Sequence, residues 1–185
     1  MDAGPELRIE ERPTLRRPVL IAAFRGWNDG GQAATLAAGT LTRVWGARRF
    51  ADIDPEPFVD FQATRPTVAL DDGLQRRIDW PETVFHAATL PGTDRDAVIL
   101  LGVEPNYRWR AFSDLIVNLA RDLGVELVVT LGALLADVPH TRPAPVTGAG
   151  RVCGTSASSA PRVTTSSTPR SRASPITSSL YARQR

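Results

Sequence analysis

Three short polar segments hold most of the side chains that could do chemistry in this chain, and each directly follows an apolar run. The first runs from Arg25 through Gly26, Trp27, Asn28 and Asp29 to Gly30 and Gly31. The second centres on Glu104, with Trp109 just beyond; the third opens at Gly132 and reaches His140 and Arg142. Arg25 and the Gly30-Gly31 turn could cradle an anion, because free backbone N–H groups and the helix dipole attract negative charge at a helix start. Asp29, however, is a good N-cap for the same helix and would occupy those N–H groups, so structural capping is the preferred reading. Glu104 stands at a strand end, where it could act as a general base or pair with Arg108 or Arg110 one turn later. His140 could be a general acid/base or an anion ligand beside Arg142, in a loop stiffened by Pro139, Pro143 and Pro145. A surface-loop histidine with no partner nearby in sequence is more often a plain hydrogen-bonding residue.

Composition removes several other chemistries. All 22 basic residues are arginine, so no Walker-type lysine, Schiff-base lysine or lysine base is available. The single Cys153 excludes an intramolecular disulfide framework and is compatible with a reducing compartment. With only His86 and His140 besides, neither a zinc site nor any cofactor is expected. Ser113 lies within a helical pattern and lacks a nucleophile-elbow context. All 20 acidic residues precede residue 151, so the folded part is acidic and the high pI belongs to residues 151–185; nucleic acid is not an expected partner. No apolar run approaches about 18 residues and the start is acidic and proline-containing, which points to a cytoplasmic protein without membrane contact.

The elements that must position these residues are strands and helices in alternation. Val19 to Phe24 lacks polar alternation, as a strand covered on both faces does; Ala97–Leu101 and Leu127–Leu131 repeat that pattern. Three parallel strands would deliver residues 25–31, 102–109 and 132–143 to one edge, where ligands and partners of open α/β sheets usually sit. Apolar residues at spacings of three and four predict helices over Gln32–Trp45, closed by Gly46, and from near Asn106 to Gly124. Between residues 48 and 92, the alternating stretches Phe50–Ile53, Phe58–Phe61, Thr67–Leu70, Arg77–Trp80 and Val84–Ala87 predict short strands forming an edge extension, with Asp72-Gly73 as a hairpin turn. Residues 1–17 read as a loose polar lead-in and 18–150 as the α/β domain. Residues 151–185, rich in Ser, Thr, Arg, Ala and Pro, read as a disordered tail, with the preferred explanation that the reading frame was lost near Gly150.

These motifs together resemble the PAC2 (proteasome assembly chaperone) family in its actinobacterial branch. The likeness runs through Phe24-Arg-Gly-Trp-Asn-Asp-Gly-Gly31, Phe58-Val-Asp-Phe61 with Arg65-Pro66, Arg77-Ile-Asp-Trp-Pro81, Leu101-Gly-Val-Glu-Pro105 with Trp109 and Phe112, and Leu131 to Pro143, over roughly residues 18–149. It implies an α/β fold of the three-layer α/β/α sandwich type, phosphorylase/hydrolase-like with a mostly parallel sheet, and homo-oligomeric assembly. Action by protein–protein interaction with proteasome subunits is the implied function. The family continues with another strand and helices, so the resemblance implies that the C-terminal part is missing here. Apolar surface along Val125–Leu135 and on the helix bearing Phe112, Leu115 and Leu119 would then lie open. The rival reading is an enzyme of phosphorylase-like or carboxylate-amine ligase-like type, acting on a small anionic substrate around Arg25, Glu104, His140 and Arg142. If residues 151–185 are a disordered tail, deleting them leaves the thermal unfolding temperature unchanged; a loss of several degrees would show that they belong to the fold.

Overall fold

The computed structural model describes residues 6–72, 75–137, 139, 141, 146–150 and 162–164. Two compact units are distinguished, Met1–Leu134 and Leu135–Arg185. In the second, β9 (Gly148–Gly150), at the end of the expected domain, pairs antiparallel with β10 (Arg162–Thr164), which lies inside the stretch expected to be tail.

The first unit is built on β2 (Val19–Arg25), whose residues are buried almost throughout. It pairs parallel with β7 (Asp96–Val103) on one side, in register from Val19↔Ala97 to Arg25↔Val103, and parallel with β8 (Leu127–Leu131) on the other. Both pairings have the direction that the three apolar runs predict. The sheet as a whole is nevertheless mixed, not mostly parallel. Its order is β1-β3-β6-β7-β2-β8, with β1 (Leu7–Ile9), β3 (Arg48–Ile53) and β6 (Thr83–Thr89) joined antiparallel to one another and to β7. The reason is connection length: a parallel neighbour needs a crossover of about a dozen residues or more, and the short 90–95 turn between β6 and β7 permits only reversal.

Three further expectations are corrected. The polar lead-in is not loose, since Leu7 is buried and β1 closes one end of the sheet against β3. Strands β3 and β6 extend the parallel trio beyond β7 with β1 outermost, but the expected strands at Thr67–Leu70 and Arg77–Trp80 do not join them: β4 (Thr67–Asp71) and β5 (Gln75–Asp79) form a separate two-stranded hairpin whose turn lies partly outside the described residues. Phe58–Phe61 is a turn, not a strand. Pro55 accepts from the backbone N–H groups of Phe58 (2.9 Å) and Val59 (2.8 Å), and Asp60 accepts from that of Gln62 (2.8 Å), so the local bonds compete with any ladder.

Ala23 and Phe24 are successive strand residues and point to opposite faces. Ala23 clusters with Ala97, Ile99 and the buried Ala34 and Ala38 of α1 (Ala33–Val44). Phe24 meets Phe112 of α2 (Trp109–Asp122) edge-on at 6.1 Å, and Phe112 in turn meets Phe58 at 5.3 Å. Small residues on one face and aromatics on the other set how closely each helix approaches. Phe112 and Leu119, expected to be left open, are buried under this packing and Leu115 is half-buried. The expectation holds better on β8, where Leu127 is 51% exposed.

Asp96 locks the chain entering β2 to the start of β7. Its buried carboxylate accepts from the Arg16 backbone N–H (2.7 Å) and guanidinium (2.8 Å), while the Asp96 N–H donates to the Arg16 carbonyl (2.9 Å). Arg16's side-chain hydrogen bond, with its backbone bond and charge, holds the Asp96 carboxyl below its ordinary value against the opposing effect of burial. A carboxyl depressed in the folded state contributes stability that is present above its unfolded pKa of about 3.9 and is lost as the pH falls through the folded value. Asp96→Asn should therefore cost about 1–3 kcal/mol near neutral pH. In urea titrations the gap from wild type should narrow below about pH 4; a gap of constant size down to about pH 2 would refute the assignment.

Candidate functional site

Because β2, β7 and β8 run the same way, their C-terminal ends fall at one edge of the sheet, and the loops after them are stitched together there. The Glu104 N–H donates to the Arg25 carbonyl (2.9 Å), which continues the β2–β7 ladder beyond the strands. Gly30 donates to the Ala133 carbonyl and the Ala133 N–H donates to the Asn28 carbonyl, both at 2.8 Å, so the 28–30 loop and the turn after β8 form a short parallel bridge. Gly132 belongs to this contact: a Cβ there would lie 3.3 Å from the Asn28 carbonyl oxygen.

The Glu104 carboxylate faces back into the first loop. One oxygen accepts the Trp27 backbone N–H (2.8 Å); with the buried Asn28 amide turned so that its nitrogen faces these acceptors, the assignment its surroundings require, that nitrogen donates to the other oxygen (3.2 Å) and to the Phe24 carbonyl (3.0 Å). Gly26 is required by this approach, since a Cβ on it would stand 2.3 Å from Glu104 Oε2. Arg108, one of two expected partners of Glu104, pairs with Glu6 (3.1 Å) and stacks over the Phe58 ring.

Asp29 acts as a cap, as its residue type suggests, but from an unusual distance. Its buried carboxylate reaches past the turn at Gly30–Gln32, where Gly31 has φ 66°, and accepts the N–H groups of Ala34 (2.7 Å) and Thr35 (3.1 Å) and the Thr35 hydroxyl. An anion at the start of α1 would have to displace that carboxylate.

Arg25, Trp27, Asn28, Asp29, Gly30, Gly31, Glu104 and Gly132 thus come together at one edge. Trp109 opens α2 and is half-buried there, whereas His140 and Arg142 lie outside the described residues. Among the gathered residues, Asn28, Asp29 and Glu104 spend their polar groups on the loop itself. Trp27 is left 75% exposed, and Arg25 is exposed without a side-chain partner among the described residues. Arg25 also lines a cavity of about 750 Å³ together with Trp80 and His86, two residues that sequence reasoning did not single out. Burial holds the His86 imidazole below its ordinary pKa. A period-2 strand pattern puts Val84 and His86 on one face, but nothing local to the sequence says that a hairpin stands over that face. Among the described residues no group of three or more His, Cys, Asp or Glu could hold a metal, and no helix is long and apolar enough to cross a membrane.

The Gly26–Glu104 approach can be tested by stability. Gly26→Ala should cost about 1–3 kcal/mol through overpacking, and adding Glu104→Ala should recover part of that loss, because the two residues are in contact. A neutral Gly26→Ala in denaturant titrations would mean that the carboxylate does not sit on Gly26.

A family model, that of the PAC2 family, matches residues 23–183. Among solved structures, a PAC2 family protein from Streptomyces avermitilis is 48% identical, with 72% of this chain and 56% of that one covered and a TM-score of 0.65. A proteasome-assembly chaperone homologue from Mycobacterium tuberculosis is 45% identical, covering 71% and 56%, also at 0.65. A second M. tuberculosis protein, of unknown function, is 28% identical and covers 80% and 54% with a TM-score of 0.70. The chain therefore spans just over half the length of these solved relatives. No curated protein matches it. The resemblance carried by the loop motifs and the agreement of sequence and fold with these relatives lead to one assignment: the chain belongs to the PAC2 family.

Proposed function

We propose that this protein works by protein–protein interaction, as a chaperone of proteasome assembly or a factor associated with proteasomes. The observation that carries the reading is the state of the candidate edge. Its carboxylates and amide are consumed in bracing a loop, and the side chain that the brace presents outward is Trp27. A preordered backbone carrying one exposed indole is the arrangement of an interface anchor, since Trp, Tyr and Arg supply most of the energy of protein contacts. Glu104 would have to give up its loop contacts to serve as the general base of an enzyme. The relative described as a proteasome-assembly chaperone homologue supplies the partner class.

The same reading takes the chain to be a cytoplasmic homo-oligomer with a three-layer α/β/α arrangement, residues 151–185 adding nothing to it. Self-association is favoured by apolar side chains on the outward side of α1, where Leu36 is 64% and Val44 72% exposed, and by β8, which ends the sheet. Purified proteasome core subunits should bind the full chain in a defined titration, and Trp27→Ala should weaken that binding by about thirtyfold, the loss of a contact worth roughly 2 kcal/mol. Unchanged affinity in the folded variant would remove Trp27 as the anchor. Absence of any binding would remove the proteasome as the partner.

A further inference from the structure

The β4–β5 hairpin is the part of the first unit that gains least from the core. All five residues of β5 are exposed, and so are four of the five in β4. Neither strand pairs with any other strand among the described residues. A two-stranded ribbon on its own is marginally stable in water; three or more strands with an apolar face hold far better. Such a face is begun here and left unfinished. Val68 and Ile78 stand directly opposite each other, Leu70 lies two residues along on the same side, and each is more than half exposed.

The two outer edges of the hairpin differ in what they would admit. β5 reads Gln-Arg-Arg-Ile-Asp, and charged residues on an edge strand guard it against pairing. Pairing its whole length with a second β5 about a two-fold axis sets Arg77 against Arg77, because Arg77 is the middle residue. β4 reads Thr-Val-Ala-Leu-Asp and carries no such guard at its centre. In the corresponding register Ala69 faces Ala69, Val68 faces Leu70 and Thr67 faces Asp71. Each pair is compatible: two methyl groups meet, two branched apolar side chains meet, and a hydroxyl stands where it can donate to a carboxylate. Asp71 is also balanced within its own hairpin by Arg77 at 3.3 Å.

We infer that β4 is a docking edge for a second copy of this chain, joined antiparallel through its own β4 with Ala69 on the two-fold axis. The product is a four-stranded sheet in the order β5-β4-β4-β5. An axis perpendicular to that sheet keeps equivalent faces on the same side, so Val68, Leu70 and Ile78 of both copies lie side by side and shield one another from water. The inference rests on the self-association proposed above, but it assigns the contact to an edge that reading does not use. Five paired residues per copy make a contact at the low end of interface sizes, so the dimer should dissociate on dilution, in about the micromolar range.

Sedimentation of the full chain over about 1–500 µM, which brackets that range, should show a shift from one chain to two. Val68→Lys puts a charge at an exposed edge position and should raise the dissociation constant about tenfold or more, with the far-UV spectrum of the monomer unchanged. Register is read separately by disulfide trapping in a Cys153→Ser background. Ala69→Cys should cross-link under mild oxidation, because residues facing each other in an antiparallel pair have Cα atoms about 4.5–5.5 Å apart, within disulfide reach. Leu70→Cys should cross-link far more slowly, since its two copies lie diagonally across the pair, about 8 Å apart and beyond that reach. The dilution series and the trapping do not depend on Val68→Lys folding. An oligomer whose dilution behaviour Val68→Lys leaves unchanged would overturn the β4 contact while self-association stands. A chain that stays single to the highest concentration would overturn both. Failure of Ala69→Cys to cross-link faster than Leu70→Cys would overturn the register, and the proposal with it.

Discussion

Strand β2 lies between two parallel neighbours with both faces covered, and the remainder of the first unit answers to that constraint. A strand removed from water on every side must pair its N–H and C=O groups completely, because an orphaned backbone group costs about as much as a lost hydrogen bond. Pairing with β7 and β8 supplies this, and it also aligns the three C-terminal ends so that the loops beyond them meet. The bonds from Glu104 to Arg25 and from Ala133 to Asn28 extend the same ladders past the last strand residues. The candidate edge is thus a continuation of the core pairing, not a separate attachment to it.

That continuity ties the polar side chains of the edge to the backbone of its loops. Asp29, Asn28 and Glu104 look reactive when read as residue types, yet each satisfies backbone groups that the turn from strand to helix leaves without partners. A carboxylate so engaged holds geometry; moving it to abstract a proton would release the loop. The free chemistry at this edge is in Trp27, a broad apolar surface, and Arg25, a cation.

Mixed strand direction has its own consequence. β6 returns antiparallel beside β7, so the α1 side of the sheet widens beyond what α1 contacts directly. The uncovered area over β6 and β3 is where the β4–β5 hairpin stands and where the cavity opens. An all-parallel sheet would need helical crossovers over that area and would fill it. The short turn joining β6 to β7 therefore decides, indirectly, that the molecule has a cavity there.

What the sequence by itself determined was local or periodic. Continuous apolar runs identified β2, β7 and β8; spacings of three and four identified α1 and α2; Asp29 read as a cap, and the loop motifs read as PAC2-like. Each of these rests on interactions within a few residues or on one repeating face, so the information lies in contiguous sequence. Tertiary structure decided the rest. β1 and β3 find partners across the chain, which no local pattern specifies, and Phe58–Phe61 alternates like a strand but is captured by Pro55 and by the Asn106 side chain (2.8 Å) as a turn. Glu104 became a brace because Gly26, far from it in sequence, lacks a side chain. His86 became a cavity floor because a hairpin earlier in the chain stands over its strand. Contacts between distant residues depend on which strands pair, and pairing is settled by the whole core instead of by any one segment.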